Sequence, residues 1–452
     1  MAQDLTKGKP FRTVITYALP VIGGNMFQLF YTLADTIIVG KTLGSEALAA
    51  VGATSTTIYF VLCFIQGVTG GFGICLGHRF GMGDTPGMRR SVAAGTVLSA
   101  ALAVILTLIC CVLSHPILVW MKTPANIYDM SYDYMFAVLL GTGATVFYNM
   151  ISNILRALGD SRTPLLALII SSLLNIALDI VFIVPLNMGV AGAAWATVLS
   201  QLVSTVISVI IGMKKFDVLR LKRQDFDFGG GVLLTHLKVG LPMGLQMSVM
   251  CIGQLAMQGA VNALGDDAIA GYTAATKVDQ LAVLVNNAMA VSASNFVAQN
   301  FGAAQYGRIR SGVRACLIQT SAMNVVMMAI MILCRSFIVP LFVDVPTSVI
   351  ESYSDMYILA VSPFYLLLGV LVVCRAAIQS MNNGLVPFLA CIIELGARIS
   401  ATAILSRTIG YVGICLATPL AWMGANALLI PVYIHSVKKY CSTKPRDSGM
   451  IG

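Results

Sequence analysis

Apolar runs recur about every 35 residues along this chain, separated by short polar or basic segments, and each is long enough to cross a bilayer. The alternating pattern of a membrane barrel is absent over most of the length. The periodicity predicts helices at 13–40, 45–76, 91–114, 127–155, 164–187, 189–213, 232–264, 267–298, 311–340, 352–380, 386–406 and 411–437. The stretch 214–231 interrupts this rhythm with a run of charges ending in Gly229-Gly230-Gly231, which marks it as a linker between six helices and six more.

The two sets of six say nearly the same thing. Ala18-Leu19-Pro20 recurs as Gly240-Leu241-Pro242, and Leu43-Gly44-Ser45-Glu46-Ala47 as Leu264-Gly265-Asp266-Asp267-Ala268. Pro164 answers to Pro387, Gly192 to Gly413 and Thr197 to Thr418. An even helix number per copy starts both copies on the same membrane side, so the repeats are parallel, a common plan for a transporter. The expected fold is an all-α membrane protein with twelve transmembrane helices in two parallel six-helix lobes around a central cavity. Residues 1–213 form the N-lobe, 214–231 a cytoplasmic linker, 232–437 the C-lobe and 438–452 a cytoplasmic tail.

Composition strengthens the membrane reading. Hydrophobic residues are 58% of the chain and charged ones 10%, against roughly 45–50% and 25% in soluble proteins. The net charge of +9 would suit nucleic acid, but its placement does not. With the N-terminus in the cytoplasm most basic residues fall on that side, including Lys7, Lys9, Arg89, Arg90, Lys214, Lys215 and Arg220. Lys41, Lys122, Arg335 and Arg407 map outside. This asymmetry is the positive-inside pattern, with both termini cytoplasmic and the surplus facing anionic lipid. Eleven cysteines form no CxxC and the four histidines lie far apart, so neither a disulfide framework nor a metal cluster is expected. The glycine-rich loop Gly81-Met82-Gly83-Asp84 follows no strand and lacks a Walker lysine, so it reads as a turn.

Charge within the apolar runs is where the copies disagree. Asp35 and Asp179 lie in the first copy, while Met257 and Thr402 occupy the matching places in the second. Asp35 is roughly 9 Å inside the outer end of its helix, and Asp179 and Thr197 are roughly 12 Å inside theirs. Asn175 shares a face with Asp179, one turn away. Four oxygen-bearing side chains from three helices therefore fall at similar depth. Two carboxylates sharing such a place hold a proton or cation between them, which is the physical form of a coupling site.

With these residues in view, the chain resembles the multidrug and toxic compound extrusion (MATE) transporters, in particular their DinF-type prokaryotic branch. The likeness covers residues 10 to 437 and rests on Leu29 to Gly40 around Asp35, Arg156-Ala157-Leu158-Gly159-Asp160 through Pro164, Asn175-Ile176-Ala177-Leu178-Asp179, and Val297-Ala298-Gln299-Asn300-Phe301-Gly302. The resemblance implies export of organic cations or amphipathic drugs in exchange for H⁺ or Na⁺ by alternating access, from a bacterial inner membrane. It implies a cation site of Asp35, Asn175, Asp179 and Thr197, able to hold Na⁺, and a bending proline at Pro20. The seventh helix has Gln254 and Gln258 where another branch has an acid, so a C-lobe sodium site is not expected.

Candidate substrate-cavity residues are Tyr31, Asn149, Asn153, Gln254, Gln258, Lys277, Glu394 and Arg398. Glu394 and Arg398 are spaced to pair along one helix. Lys277 and Asp279 point apart and need partners elsewhere, and Arg375 is expected to snorkel from a helix end. A structural ion-pair network is the competing account of these charges. The rival function is a flippase for a lipid-linked precursor, which needs a cationic cavity. No enzyme motif such as HExxH or GxSxG stands in a helix. No cofactor is expected beyond the coupling ion, no nucleic acid partner, and the chain is expected to work as a monomer.

Overall fold

The structure, a computed structural model, describes residues 3–342 and 347–442, so the expected tail lies outside the described residues from 443 onward. Its helices run in order α1 (Pro10–Leu43), α2 (Ser45–Gly81), α3 (Thr85–Trp120), α4 (Ala125–Leu140), α5 (Thr142–Ala157), α6 (Arg162–Ile183) and α7 (Gly189–Lys215). They continue as α8 (Val232–Asn262), α9 (Asp266–Gly302), α10 (Tyr306–Leu333), the short α11 (Arg335–Ile338), α12 (Ser348–Val361), α13 (Tyr365–Ser380) and α14 (Leu385–Ser442). No strand occurs among the described residues.

Ten stretches are long and apolar enough to cross a membrane, and α4 with α5, bent by 44°, supplies an eleventh. The 58-residue α14 would extend about 87 Å if straight, far beyond a hydrocarbon core of about 30 Å. It leaves helical geometry at Ile409 and at Gly410, whose φ of 61° only glycine adopts freely. Beyond that break it folds back on itself: Gly413 lies against Leu405, and Gly424 against Ile393 and Ala397. The two arms of α14 bring the crossings to the twelve that the hydrophobic pattern predicts.

Two predicted helices are broken in the middle. The span expected at 127–155 parts at Gly141, where Val198 of α7 occupies the place of a side chain. The span expected at 352–380 parts at the 3₁₀ turn Ser362–Phe364, where Pro363 supplies no backbone N–H. The corresponding span of each copy is thus broken, so the interruption itself is repeated.

The chain divides into two compact units. Unit 1 holds residues 3–4 and Gly23–Gly244, and unit 2 holds Leu5–Ile22 and the described residues from Leu245 onward. The division falls inside α1 and α8, shortly after Pro20 and Pro242, rather than in the stretch 214–231. That stretch packs with unit 1: Leu219 is buried with Leu76, Met88, Leu155 and Leu158, and Arg89 donates to the Arg220 carbonyl at 2.8 Å.

In unit 1, α2 crosses the first part of α8 at very close range. Gly67 lies against Met243 and Gly244, and Gly71 against Gly240, so the glycine stripe of α2 serves helix–helix approach. His236 of α8 bonds Ser91 of α3 at 2.8 Å. Unit 2 centres on α9, α10, α13 and α14, with the first part of α1 buried through Val14, Tyr17 and Ala18. Asn286 and Asn324 donate to one another at 2.8 and 3.1 Å inside it, satisfying amides that no water could reach. Large apolar side chains such as Val112 (74% exposed) and Leu333 (77%) point outward, as a lipid solvent requires.

Candidate functional site

The four residues singled out for ion coupling meet in unit 1. Asp35 comes from α1, Asn175 and Asp179 from successive turns of α6, and Thr197 from α7. Asp179 and Asn175 are fully buried, whereas Asp35 and Thr197 are half-buried. The Asn175 amide donates to Thr197 Oγ1 at 3.4 Å. The Asp35 and Asp179 carboxyls are close enough to interact directly. Asp35 Oδ1, both Asp179 oxygens and Asn175 Oδ1 are buried without another hydrogen-bond partner. Buried polar atoms are nearly always paired, so four orphaned oxygens in one place are an open donor set. Its chemistry is oxygen only, suited to a proton or a hard cation and unsuited to soft metals. No group of three or more His, Cys, Asp or Glu side chains able to hold a metal occurs among the described residues.

Asn175 and Thr197, though neither carboxylate, border a cavity of about 30 Å³ of water-occupiable space, enough for one or two waters or a partly hydrated ion. Gln28 and Tyr31 of α1, Ser171, Ser172 and Asn175 of α6, Thr197, Ser200 and Gln201 of α7, and Tyr148 of α5 line it. Thr145 donates to Gln201 Oε1 at 2.5 Å at its edge. Tyr31 and Tyr134 of α4 lie within electrostatic reach of both carboxylates. Among these only Tyr31, Asn175 and Thr197 were named from the sequence. The signal for the others is a stripe: positions 28, 31 and 35 share a face of α1, as do 171, 172, 175 and 179 on α6 and 197, 200 and 201 on α7. Tyr134 and Tyr148 carry no such signal.

The remaining candidates are placed separately. Asn149 donates to its own helix at the Thr145 carbonyl, and Asn153 donates to Thr69 Oγ1 at 3.1 Å. Gln254 is exposed, and Gln258 donates to Asn262 at 2.9 Å. Lys277 is exposed and makes no ion pair among the described residues. Asp279 accepts hydrogen bonds from Tyr365 and, at 3.3 Å, Tyr357. Glu394 joins Arg398 at 3.0 Å and Arg375 at 2.6 Å. The expectation that Arg375 snorkels is therefore corrected. Only 5% of Arg375 is exposed, because Glu394 gives its guanidinium a buried partner. Pro20 lies within α1, whose helix continues through it.

At the matching places in unit 2 the two acids are missing. Thr418, equivalent to Thr197, donates to the thioether of Met257, equivalent to Asp35, at 3.0 Å. Met257 is buried, and Thr402 stands where Asp179 would. One copy holds a pair of acids, and the other has the uncharged Met257 and Thr402 at those two positions.

A multi-pass helical membrane protein built of two repeats, one bearing a buried carboxylate pair, defines the class. The MatE family model matches it twice, over residues 20–181 and 242–404, and the chain belongs to that family. The two matched segments correspond to the two copies of the repeat. Among similar chains, the probable multidrug resistance protein YpnP of Bacillus subtilis (strain 168) is 28% identical over 437 residues, 96% of each chain. The probable multidrug resistance protein YoeA of the same organism is 24% identical over 449 residues, 97% of this chain and 96% of the other. A solved outward-facing multidrug resistance MATE family transporter of the MOP superfamily matches with a TM-score of 0.91 at 23% identity, covering 98% of this chain and 99% of that one.

Proposed function

We propose that this chain exports small organic molecules, organic cations or amphipathic drugs, in exchange for H⁺ or Na⁺ held by Asp35, Asn175, Asp179 and Thr197. The observation that carries the reading is the carboxylate pair with its buried, orphaned oxygens. Two bare negative charges facing one another inside a membrane repel strongly, so the pair recruits a proton or a sodium ion. Binding that ion changes the local charge by one, and a conformational equilibrium shifts to the extent that the two states differ in ion affinity. The similarity to chains named for multidrug resistance supports drugs as the cargo class. The positive-inside pattern supports a bacterial cytoplasmic membrane with both termini inside.

The unit 1 cavity is sized for ions and water, well below the roughly 300–1,000 Å³ of a drug pocket. It serves coupling in this reading. The test is dye efflux from proteoliposomes under an imposed pH or sodium gradient. Asp35→Asn and Asp179→Asn are each expected to lower gradient-driven efflux at least about a hundredfold while leaving a monodisperse protein. Gradient-driven efflux at the wild-type rate by either variant sinks the assignment. Flipping of a lipid-linked precursor is the second reading, favoured by the buried arginines of unit 2.

A further inference from the structure

The repeat allows each place in unit 1 to be matched with one in unit 2, and local geometry fixes the register. Gly159 and Asn382 are equivalent and both take positive φ, 85° and 65°. Asp160 Oδ1 accepts from the Thr163 amide at 3.0 Å, and Asn383 Oδ1 accepts from the equivalent Val386 amide at 3.2 Å. In this register Glu394 stands for Ser171, Arg398 for Asn175, Arg375 for Ser152 and Met250 for Gln28. Ser171, Asn175 and Gln28 line the cavity of unit 1. A charged network thus occupies the place where unit 1 has neutral polar groups.

Its charge does not close. Two guanidiniums share one carboxylate, leaving one positive charge among side chains that are at least nine-tenths buried. Nε of Arg375 and Nε of Arg398 have no hydrogen-bond partner. Arg375 spends a further donor on the sulfur of Met250 at 3.5 Å, a weak acceptor. Asp279, a half-buried acid near this region, is engaged by Tyr357 and Tyr365 and pairs with neither arginine. A structural bridge is complete with one arginine, whereas a second buried cation is costly unless an anion joins it.

We propose that Arg375, Glu394 and Arg398 form an oxyanion-recognition site in unit 2, taking the carboxylate or phosphate of a small organic anion or zwitterion. The guanidinium fork matches such a group in two-point contact, and the free Nε donors supply one point each. The proposal rests on the export reading only for the fate of the ligand, because its test is equilibrium binding.

The experiment titrates purified full-length protein in phosphatidylcholine nanodiscs with FMN and with riboflavin, which share a fluorescent ring and differ in one phosphate. FMN is expected to bind at least about tenfold more tightly. Arg398→Gln is expected to remove that preference, Arg398→Lys to retain part of it, and Glu394→Gln to strengthen FMN binding by freeing both guanidiniums. Equal affinity for the two flavins in the wild type overturns the proposal, as does an unchanged FMN affinity in Glu394→Gln. That last variant keeps the test decisive should Arg398→Gln fail to fold. Repeating the titration in phosphatidylglycerol nanodiscs identifies the source of the oxyanion. Loss of the preference there assigns the site to a lipid headgroup, and its persistence to a soluble ligand, both upholding oxyanion recognition. Gradient-driven dye efflux, measured beside binding, separates failure of this proposal from failure of the export reading.

Discussion

Asp160 shows how one side chain can organise the start of a helix. Its Oδ1 accepts from the amides of Arg162 and Thr163 at 3.1 and 3.0 Å, and its Oδ2 from Thr163 Oγ1 at 2.7 Å and Lys215 Nζ at 2.8 Å. Burial alone would raise its pKa, but the hydrogen bonds from Lys215 and Thr163 outweigh burial and hold the carboxyl below its ordinary value. Because the folded value is depressed, the stability this group contributes is fully present above about pH 4 and is lost as pH falls through the folded value. Asp160→Asn is expected to cost about 1–3 kcal/mol at pH 7, toward the low end because Lys215 is partly exposed. Thermal unfolding in detergent checks this: the gap in Tm between wild type and variant is expected to narrow from pH 7 to pH 3. A gap that is constant across that range removes the ionic part of the explanation. The same residue was visible in sequence only as part of a shared motif, since its partner Lys215 lies 55 residues away.

At the scale of helices, the sequence foretold positions well and interruptions poorly. Hydrophobic periodicity located the crossings, because burying or exposing apolar surface to lipid is decided within a single segment. The break at Ser362–Phe364 does carry a local mark in Pro363, whereas the break at Gly141 depends on Val198 packing beside it, and a partner of that kind leaves none. Arg375 was misjudged for the same reason: its location near a helix end suggested an exposed head, and its partner Glu394 belongs to another helix. The convergence of Asp35 and Asp179 was legible because charge in a membrane helix is rare enough to be informative by itself. The glycine stripe of α2 was legible as well, and it carries a prediction. A Cβ on Gly71 would stand 2.5 Å from the Gly240 Cα, with backbone on both sides and no flexible side chain to yield. Gly71→Val is expected to destabilise unit 1 by about 1–3 kcal/mol or more, read as lower Tm and lower monodisperse yield. Gly52→Val in the same helix meets nothing within 4 Å and is the control. Equal loss in both variants would point to helix propensity and away from the crossing.

For the molecule as a whole, the unequal fate of two copies is the main fact. Duplication supplied the same helices twice, and substitution then left a carboxylate pair in unit 1 and an arginine-rich network in unit 2. The α1 helix belongs to both units: its first part is buried in unit 2 through Val14, Tyr17 and Ala18, and its remainder carries Asp35 into unit 1. Pro20 lies just before the changeover. A proline has no N–H to return to the carbonyl of Thr16, so the helix can bend there at modest cost. In the proposed reading, neutralising Asp35 by a proton or by Na⁺ would remove its repulsion with Asp179 and favour geometries of α1 that the charged pair resists. Pro20→Ala restores the missing hydrogen bond and is expected to slow gradient-driven efflux at least about tenfold while leaving ion binding at Asp35 and Asp179 unchanged, since the substitution is four helical turns from those carboxylates. Paired measurements on the same preparation decide it: ion binding by isothermal titration, and efflux from proteoliposomes. Wild-type efflux in the variant removes Pro20 from the mechanism, and parallel loss of binding and efflux shows that the proline supports the site's structure and has no separate part in motion.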